Sequence, residues 1–230
     1  MNDLTYYKQT NKVKYLDYSD FLGIPCGMVI QYNDLTKEQI PEYIIREILG
    51  KNDDSCRAVT LNQKHTNIII ASNEDTSKPT DGVYTSNKGE LLTIRTADCF
   101  PVTLYDGTTL GIIHAGWRGA FQGIIKEFFH IVPEFDTAKA KAILSPGIGE
   151  CCFEVSPEVA ILFEKKYRRF ENDRYFVDIR RLILDELALY GVKSTLDNSV
   201  CTYCNSDLFY SYRREGNIVK QMISYVCAGG

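Results

Sequence analysis

Residues 90–123 read ELLTIRTADCFPVTLYDGTTLGIIHAGWRGAFQG, three apolar runs separated by two interruptions of different chemistry. ELLTIRT and PVTLYD are rich in apolar and β-branched residues. They predict two strand segments broken by Pro101, which cannot donate to a ladder. TTLGIIHAG predicts a third strand. It ends in His114, Gly116, Trp117, Arg118 and Gly119, a mixture that a strand interior would not tolerate. A helix is expected over residues 121–130, so the mixture falls on a strand-to-helix turn. Such turns are where a rigid scaffold presents reactive side chains.

Strand and helix signals alternate irregularly on either side. DLTKEQIPEYIIREILG (34–50) predicts a helix with Ile44, Ile45 and Ile48 inward and Gly50 as its stop. CRAVTLNQKHTNIIIAS (56–72) predicts two strands bracketing NQKHT, and AKAILSPGIG (140–149) a strand running into a Pro-Gly turn. SPEVAILFEKKY (156–167) opens with Ser156 as N-cap and Pro157 at the first helical position. VDIRRLILDELALYGV (177–192) is the clearest helix, capped by Asp178 and ended by Gly191. Its apolar stripe is Ile179, Leu182, Ile183, Leu187 and Tyr190. The stretch from residue 198 to 226 predicts a strand, a loop and a final hairpin. No regular βαβ alternation, repeat or linker is visible. The expected fold is therefore α+β, a single domain over residues 1–230 with a mixed β-sheet and flanking helices.

Bulk properties narrow the function. The chain has 230 residues, 44% hydrophobic and 24% charged, with net charge −4, and shows no electrostatic footprint for nucleic acid or an anionic membrane. The N-terminal residues lack an apolar signal region, and no apolar run approaches the roughly 18 residues of a membrane span. A cytoplasmic location is expected. Eight cysteines are then best read as reduced thiols or metal ligands. Most are expected to be buried thiols. Cys201 and Cys204 form a single CxxC without a second one, and Cys151 and Cys152 are adjacent rather than ligand-spaced. Cys201 and Cys204 are expected to be mostly structural, with redox sensitivity as the alternative.

The chain has only three histidines. His65 lies in NQKHT and His114 at the end of IIHAG, while His130 closes an amphipathic helix and is expected to have no functional role. With Cys99 in TADCFP, His65 and His114 all fall at strand ends or breaks, where a sheet gathers side chains into one cleft. Two imidazoles and a thiolate are a zinc ligand set, and three protein ligands leave a position open. Each residue alone also fits a hydrogen-bonded or core position. Asp98 is a candidate general base or partner for an imidazole. Arg118 fits an anionic oxygen or a loop cap equally well. Arg213 and Arg214 in SYRREG are candidates for phosphate, or for a solvated hairpin.

The segments NQKHT, DGVYTS, TADCFPVTLYD, GIIHAGWRGA, SPGIGECCFEV and LFYSYRREG, in this order, resemble the YfiH-like, laccase-domain family over roughly residues 20–225. The resemblance implies a cysteine-hydrolase-type fold and a metal site of His65, Cys99 and His114, with zinc as the metal and copper admitted by the family's older oxidase label. Asp98, Cys99 and Arg118 are the expected catalytic residues; Gln63 and Arg213 are the expected substrate contacts. The implied activity is phosphorolysis of adenosine, inosine, guanosine or methylthioadenosine, or deamination of adenosine. Nucleoside and phosphate are then its small-molecule partners, with the glycines of HAGWRG letting backbone and purine approach. Members usually carry a Gly-Arg pair where this chain has Lys220 and Gln221. Alternatives are a cytosolic amide hydrolase that edits peptidoglycan precursors and a non-enzymatic metal-binding protein. A multicopper oxidase needs more imidazoles than three.

Overall fold

The two strand segments of 90–106 form, but in different sheets. In the computed structural model, which describes residues 5–52, 55–198, 200–216 and 220–228, Glu90–Thr96 enters one six-stranded sheet and Phe100–Tyr105 the other. The first sheet is ordered Tyr7–Gln9, Val13–Asp17, Cys26–Tyr32, Met222–Cys227, Glu90–Thr96, Arg57–Thr60. The second runs Ser194–Asp197, Lys141–Leu144, Phe100–Tyr105, Leu110–Ala115, Gly82–Thr85, Ile69–Ala71. A small third sheet joins Glu154–Val155, Arg174–Val177 and Arg168–Glu171. Both large sheets mix parallel and antiparallel pairs: Arg57–Thr60 lies parallel to Glu90–Thr96, and Lys141–Leu144 parallel to Ser194–Asp197. The fold is α+β with several sheets.

Period-two side-chain alternation explains why the central strands are apolar on both faces. Ile112 packs between the two sheets with Leu92, Ile94, Met28 and Val83. Its neighbour Ile113 faces the other way, with Val102, Leu104 and Leu144, towards helical residues Ile124, Phe128, Ile183 and Leu187. Leu91 likewise turns outward from the first sheet onto Ile40, Ile44 and Ile45. The layers are helix, sheet, sheet, helix. Among the described residues no helix is long and apolar enough to cross a membrane.

Several local expectations need correction. The break between the strands is at Ala97–Cys99, not at Pro101. Asp98 adopts φ 96° there, and Pro101 sits within the strand opposite His114. The helix expected over 34–50 covers only Ile40–Tyr43 and widens into a π-turn over Ile44–Ile48; Pro41 suits its first turn, and Ile48 is only half-buried. Residues 121–130 belong to two helices, Trp117–Phe121 and Ile124–Ile131, parted by Gly123 at φ 76°. Ser156 precedes a one-turn helix, Pro157–Ala160, without a side-chain cap bond. Asp178 does cap Ile179–Leu189, accepting from the Arg181 N–H at 2.9 Å. SYRREG is not a hairpin: Tyr212–Glu215 is a helical turn capped by Ser211. Met222–Cys227 pairs with Cys26–Tyr32 and Glu90–Thr96, whose β-ladders need a central strand. Residues 217–219 of the expected turn lie outside the described residues.

Candidate metal centre

His65, Cys99 and His114 converge: one ligand atom from each lies within 4.8 Å of the others. Each arrives by a different route. His114 is buried near the end of Leu110–Ala115. Cys99 sits where the chain crosses from one sheet to the other. His65 comes from the connection between Arg57–Thr60 and Ile69–Ala71, in the left-handed region at φ 60°, which a non-glycine residue adopts only when its surroundings demand it. The two imidazoles meet edge to face, with ring centroids 4.9 Å apart.

The demand comes from Asp81, a residue that sequence reasoning passed over although it begins DGVYTS. It is fully buried. Its carboxylate accepts from the backbone N–H groups of Lys64 (3.1 Å), His65 (3.0 Å) and Thr66 (2.6 Å), and from the Thr66 hydroxyl (2.8 Å). The same carboxylate lies 2.7 Å from His114 Nδ1. Because an ionised carboxylate can only accept, Nδ1 keeps a proton in either charge state, and Nε2 is the nitrogen that can give up its proton to bind a cation. Asp81 thus holds the loop bearing one imidazole and sets the tautomer of the other.

Burial alone would raise the Asp81 carboxyl. The bonds from His114 and Thr66 outweigh it and bring the group down to about 2. Burial likewise opposes ionisation of Cys99, but the charge of His114 and hydrogen bonds from both imidazoles lower the thiol to about 6. Burial would lower His114; Cys99 and Asp81 together raise it to about 9. The donor set of two imidazoles and an ionised sulfur fits zinc, which prefers such ligands.

The glycines of HAGWRG now have a different explanation from the one expected. A Cβ on Gly116 would stand 2.9 Å from His65 Cδ2 and 3.0 Å from Cys99 Sγ, and one on Gly119 would stand 2.7 Å from the Thr66 carbonyl oxygen. What approaches the backbone here is the pair His65 and Cys99 and the loop that carries His65.

The centre opens into a cavity of about 620 Å³, whose walls include Gln63, Asp98, Arg118 and Arg213 from the sequence-predicted set. Gln63 bridges to Arg95, accepting from its N–H at 2.8 Å and donating to its carbonyl at 2.7 Å. Asp98 is buried, accepting from the Thr202 hydroxyl at 2.6 Å and the Arg213 N–H at 2.7 Å. The Arg118 guanidinium stacks over Trp117 at 4.4 Å. Arg213 donates to the carbonyls of Cys152 and Glu154. Arg214 is committed elsewhere, to the carbonyls of Thr202, Tyr203 and Phe209, and is a structural residue rather than a phosphate ligand. Lys220 turns to the Tyr32 carbonyl while Gln221 reaches the cavity wall. Arg95 and Tyr212 also line it and were missed. Neither has a local sequence signal, since only the packing of the two sheets brings them to this wall. His130 is exposed on the helix Ile124–Ile131 and does not line the cavity.

Cys26, Cys56 and Cys227 are buried free thiols, three of the eight rather than most of them. Cys151, Cys152, Cys201 and Cys204 are not four independent structural residues: their sulfurs gather within 4.8 Å. Adjacency in sequence hid this, because Cys204 lies 53 residues from Cys151 and 52 from Cys152.

Residues 43–228 match the family described as multi-copper polyphenol oxidoreductase laccase. The chain is 33% identical over 166 residues to the purine nucleoside phosphorylase of Aquifex aeolicus, covering 71% of this chain and 80% of that protein. It is 32% identical to purine nucleoside phosphorylase YfiH of Escherichia coli, covering 69% of each. In fold it is similar to YlmD from Geobacillus stearothermophilus, with a TM-score of 0.83 at 21% identity, over 98% of this chain and 99% of that one. YfiH of Bacillus licheniformis superposes with a TM-score of 0.79 at 21% identity, over 96% and 98% of the two chains.

Proposed function

The chain belongs to the multi-copper polyphenol oxidoreductase laccase family, and from the relatives named purine nucleoside phosphorylase we propose that it is one too and works at the His65–Cys99–His114 centre. The observation that carries the proposal is the pairing of that centre with a cavity of nucleoside size, lined by Arg95, Arg118 and Arg213. Pockets of roughly 300–1,000 Å³ suit small molecules of this kind. Phosphorolysis needs an anion site beside the sugar, and guanidinium groups suit phosphate oxygens. Trp117, Phe153 and Tyr212 offer aromatic faces for the base.

His65, Cys99 and His114 would hold a divalent ion, zinc by donor type; bound there, it would supply Lewis acidity beside the substrate. Cys99, the residue to which a cysteine-hydrolase description of the fold would refer, acts in this scheme as a ligand. Asp81 fixes the imidazole of His114 and the turn at His65. Arg118, held flat on Trp117, and Arg213 orient the anionic co-substrate. Asp98 anchors the Arg213 backbone and is the carboxylate placed to accept a proton in the cavity. Gln63 keeps the 61–66 connection docked on Arg95. With two imidazoles at the centre and one remote, the chain lacks the ligands for several clustered coppers.

A second activity, hydrolytic deamination of adenosine, would need only that a three-ligand zinc site keep a position for water beside the base. Purified protein given adenosine, inosine, guanosine or methylthioadenosine, with and without phosphate, separates the two. Phosphate-dependent release of free base and pentose 1-phosphate is expected. Phosphate-independent formation of inosine and ammonia from adenosine would support deamination. No turnover of any nucleoside by zinc-loaded protein would overturn both.

A further inference from the structure

The second cluster of metal-ligating side chains lies outside the centre just described and shares no residue with it. Cys151 and Cys152 follow the Pro-Gly turn after Lys141–Leu144, and Cys201 and Cys204 occupy the loop after Ser194–Asp197. The two loops are pinned together by a bridge between Gly147 and Cys201, with the Thr202 N–H donating to the Gly147 carbonyl at 3.0 Å. Gly149 permits the approach: a Cβ there would stand 3.2 Å from Cys151 Sγ and 3.3 Å from Cys201 Cβ. All four sulfurs fall within 4.8 Å of one another at a partly exposed position.

We propose that Cys151, Cys152, Cys201 and Cys204 form a tetrathiolate zinc site. A regular tetrahedron with Zn–S bonds of about 2.3 Å has sulfur–sulfur edges of about 3.8 Å. The Cys204 sulfur lies 3.7 Å from Cys151 and 3.3 Å from Cys152, and the Cys201 sulfur lies within 4.8 Å of each of the other three. A disulfide needs sulfurs about 2.05 Å apart, well inside the 3.7 and 3.3 Å found here. A single cation uses all four. Four thiolates in a closed tetrahedron select zinc or iron and leave no open position, so the site is structural. Each ligating thiol releases its proton to solvent as the ion binds.

Its place in the fold gives it a purpose. Cys152 is followed by Phe153, a cavity residue, and its carbonyl accepts from Arg213. Cys201 is followed by Thr202, which donates to Asp98. An ion here staples the two loops that form one wall of the cavity.

The test reads metal rather than turnover, so it stands or falls separately from the nucleoside reading. Full-length protein purified under reducing conditions and saturated with zinc should retain two ions per chain after desalting. Cys201→Ser/Cys204→Ser should retain one, as should His65→Ala/His114→Ala. Zinc-edge X-ray absorption of the wild-type protein provides a measurement that needs no variant. It should show about 2.5 sulfur neighbours per zinc, the average of one and four. A single sulfur per zinc, iron in place of zinc, or a Cys152–Cys204 disulfide in the protein as purified would overturn the proposal.

Discussion

Asp81 accepts four hydrogen bonds from residues 64–66 and holds His114 with its remaining capacity. Replacing it by Asn keeps the shape but removes the charge and presents an NH₂ group to N–H donors. Asp81→Asn should weaken zinc binding at the centre by about 10–100-fold, the range seen when the partner of a ligating imidazole is lost. Competition with a chromophoric chelator measures it; unchanged affinity would show that the carboxylate does not set the tautomer. Cys99 gives a pH-dependent signature in metal-free protein. Its thiol is lowered to about 6 by His114 and His65 against the opposing effect of burial. The thiolate should therefore persist down from neutral pH and be lost as the pH falls through about 6. Mass-resolved alkylation of Cys99 should show a midpoint there, moving upward towards ordinary thiol values in His114→Ala. Tyr212 belongs to this scale too, as an exposed aromatic at the cavity. If it stacks on the base, Tyr212→Ala should raise KM for the nucleoside by about tenfold or more, with kcat much less affected.

The decisive element is the strand-to-helix turn from Leu110–Ala115 into Trp117–Phe121. Its Gly116 has an ordinary φ of −76°, so glycine is required for room and not for backbone conformation. Gly116→Ala should push His65 or Cys99 out of position, because both lie within about 3 Å of the new methyl. Expected outcomes are loss of zinc from the centre and little change in helix content, read by metal analysis beside circular dichroism. The crossing at Ala97–Cys99 is the second such element. Asp98 braces it against Thr202 and the Arg213 backbone. Thr202→Val removes a donor and leaves the carboxylate in place. It should cost about 1–3 kcal/mol of stability and, if Asp98 serves to anchor Arg213, should lower kcat/KM for phosphate as well.

Across the whole molecule, the centre ties parts that the chain order keeps separate. His114 belongs to the second sheet, Cys99 stands on the crossing from the first sheet to the second, and His65 lies on the connection that makes the same passage earlier in the chain. An ion bound by all three links the sheets in the native state alone. Zinc added at about 100 times its Kd should stabilise by about 2.7 kcal/mol, raising Tm by roughly 5–10 °C for a chain of this size. His114→Ala should lose most of that rise at this centre, which differential scanning calorimetry of both proteins would reveal.

Strand and helix types were largely legible because apolar periodicity is a local property, visible at Ile112 and Ile113 and in the Ile179–Leu189 stripe. The candidate ligands His65, Cys99 and His114 were only partly legible: their strand-end placement suited a hydrogen-bonded or core position as well, and it was the resemblance of NQKHT, TADCFP and GIIHAGWRGA to the family that joined them. Boundaries were less so. The π-turn at Ile44–Ile48, the helix break at Gly123 and the helical turn at Tyr212–Glu215 depend on what each segment packs against. Pairing across the chain was not legible at all. Asp81 looks like an ordinary turn aspartate until His114 is folded beside it, and Cys151 and Cys152 acquire meaning only when Cys201 and Cys204 arrive from a loop distant in the chain. The sequence by itself determined which short segments are strand or helix and which residues are chemically costly where they stand. Only the tertiary structure decided which of those residues meet, because contact between distant segments is set by the packing of both sheets at once.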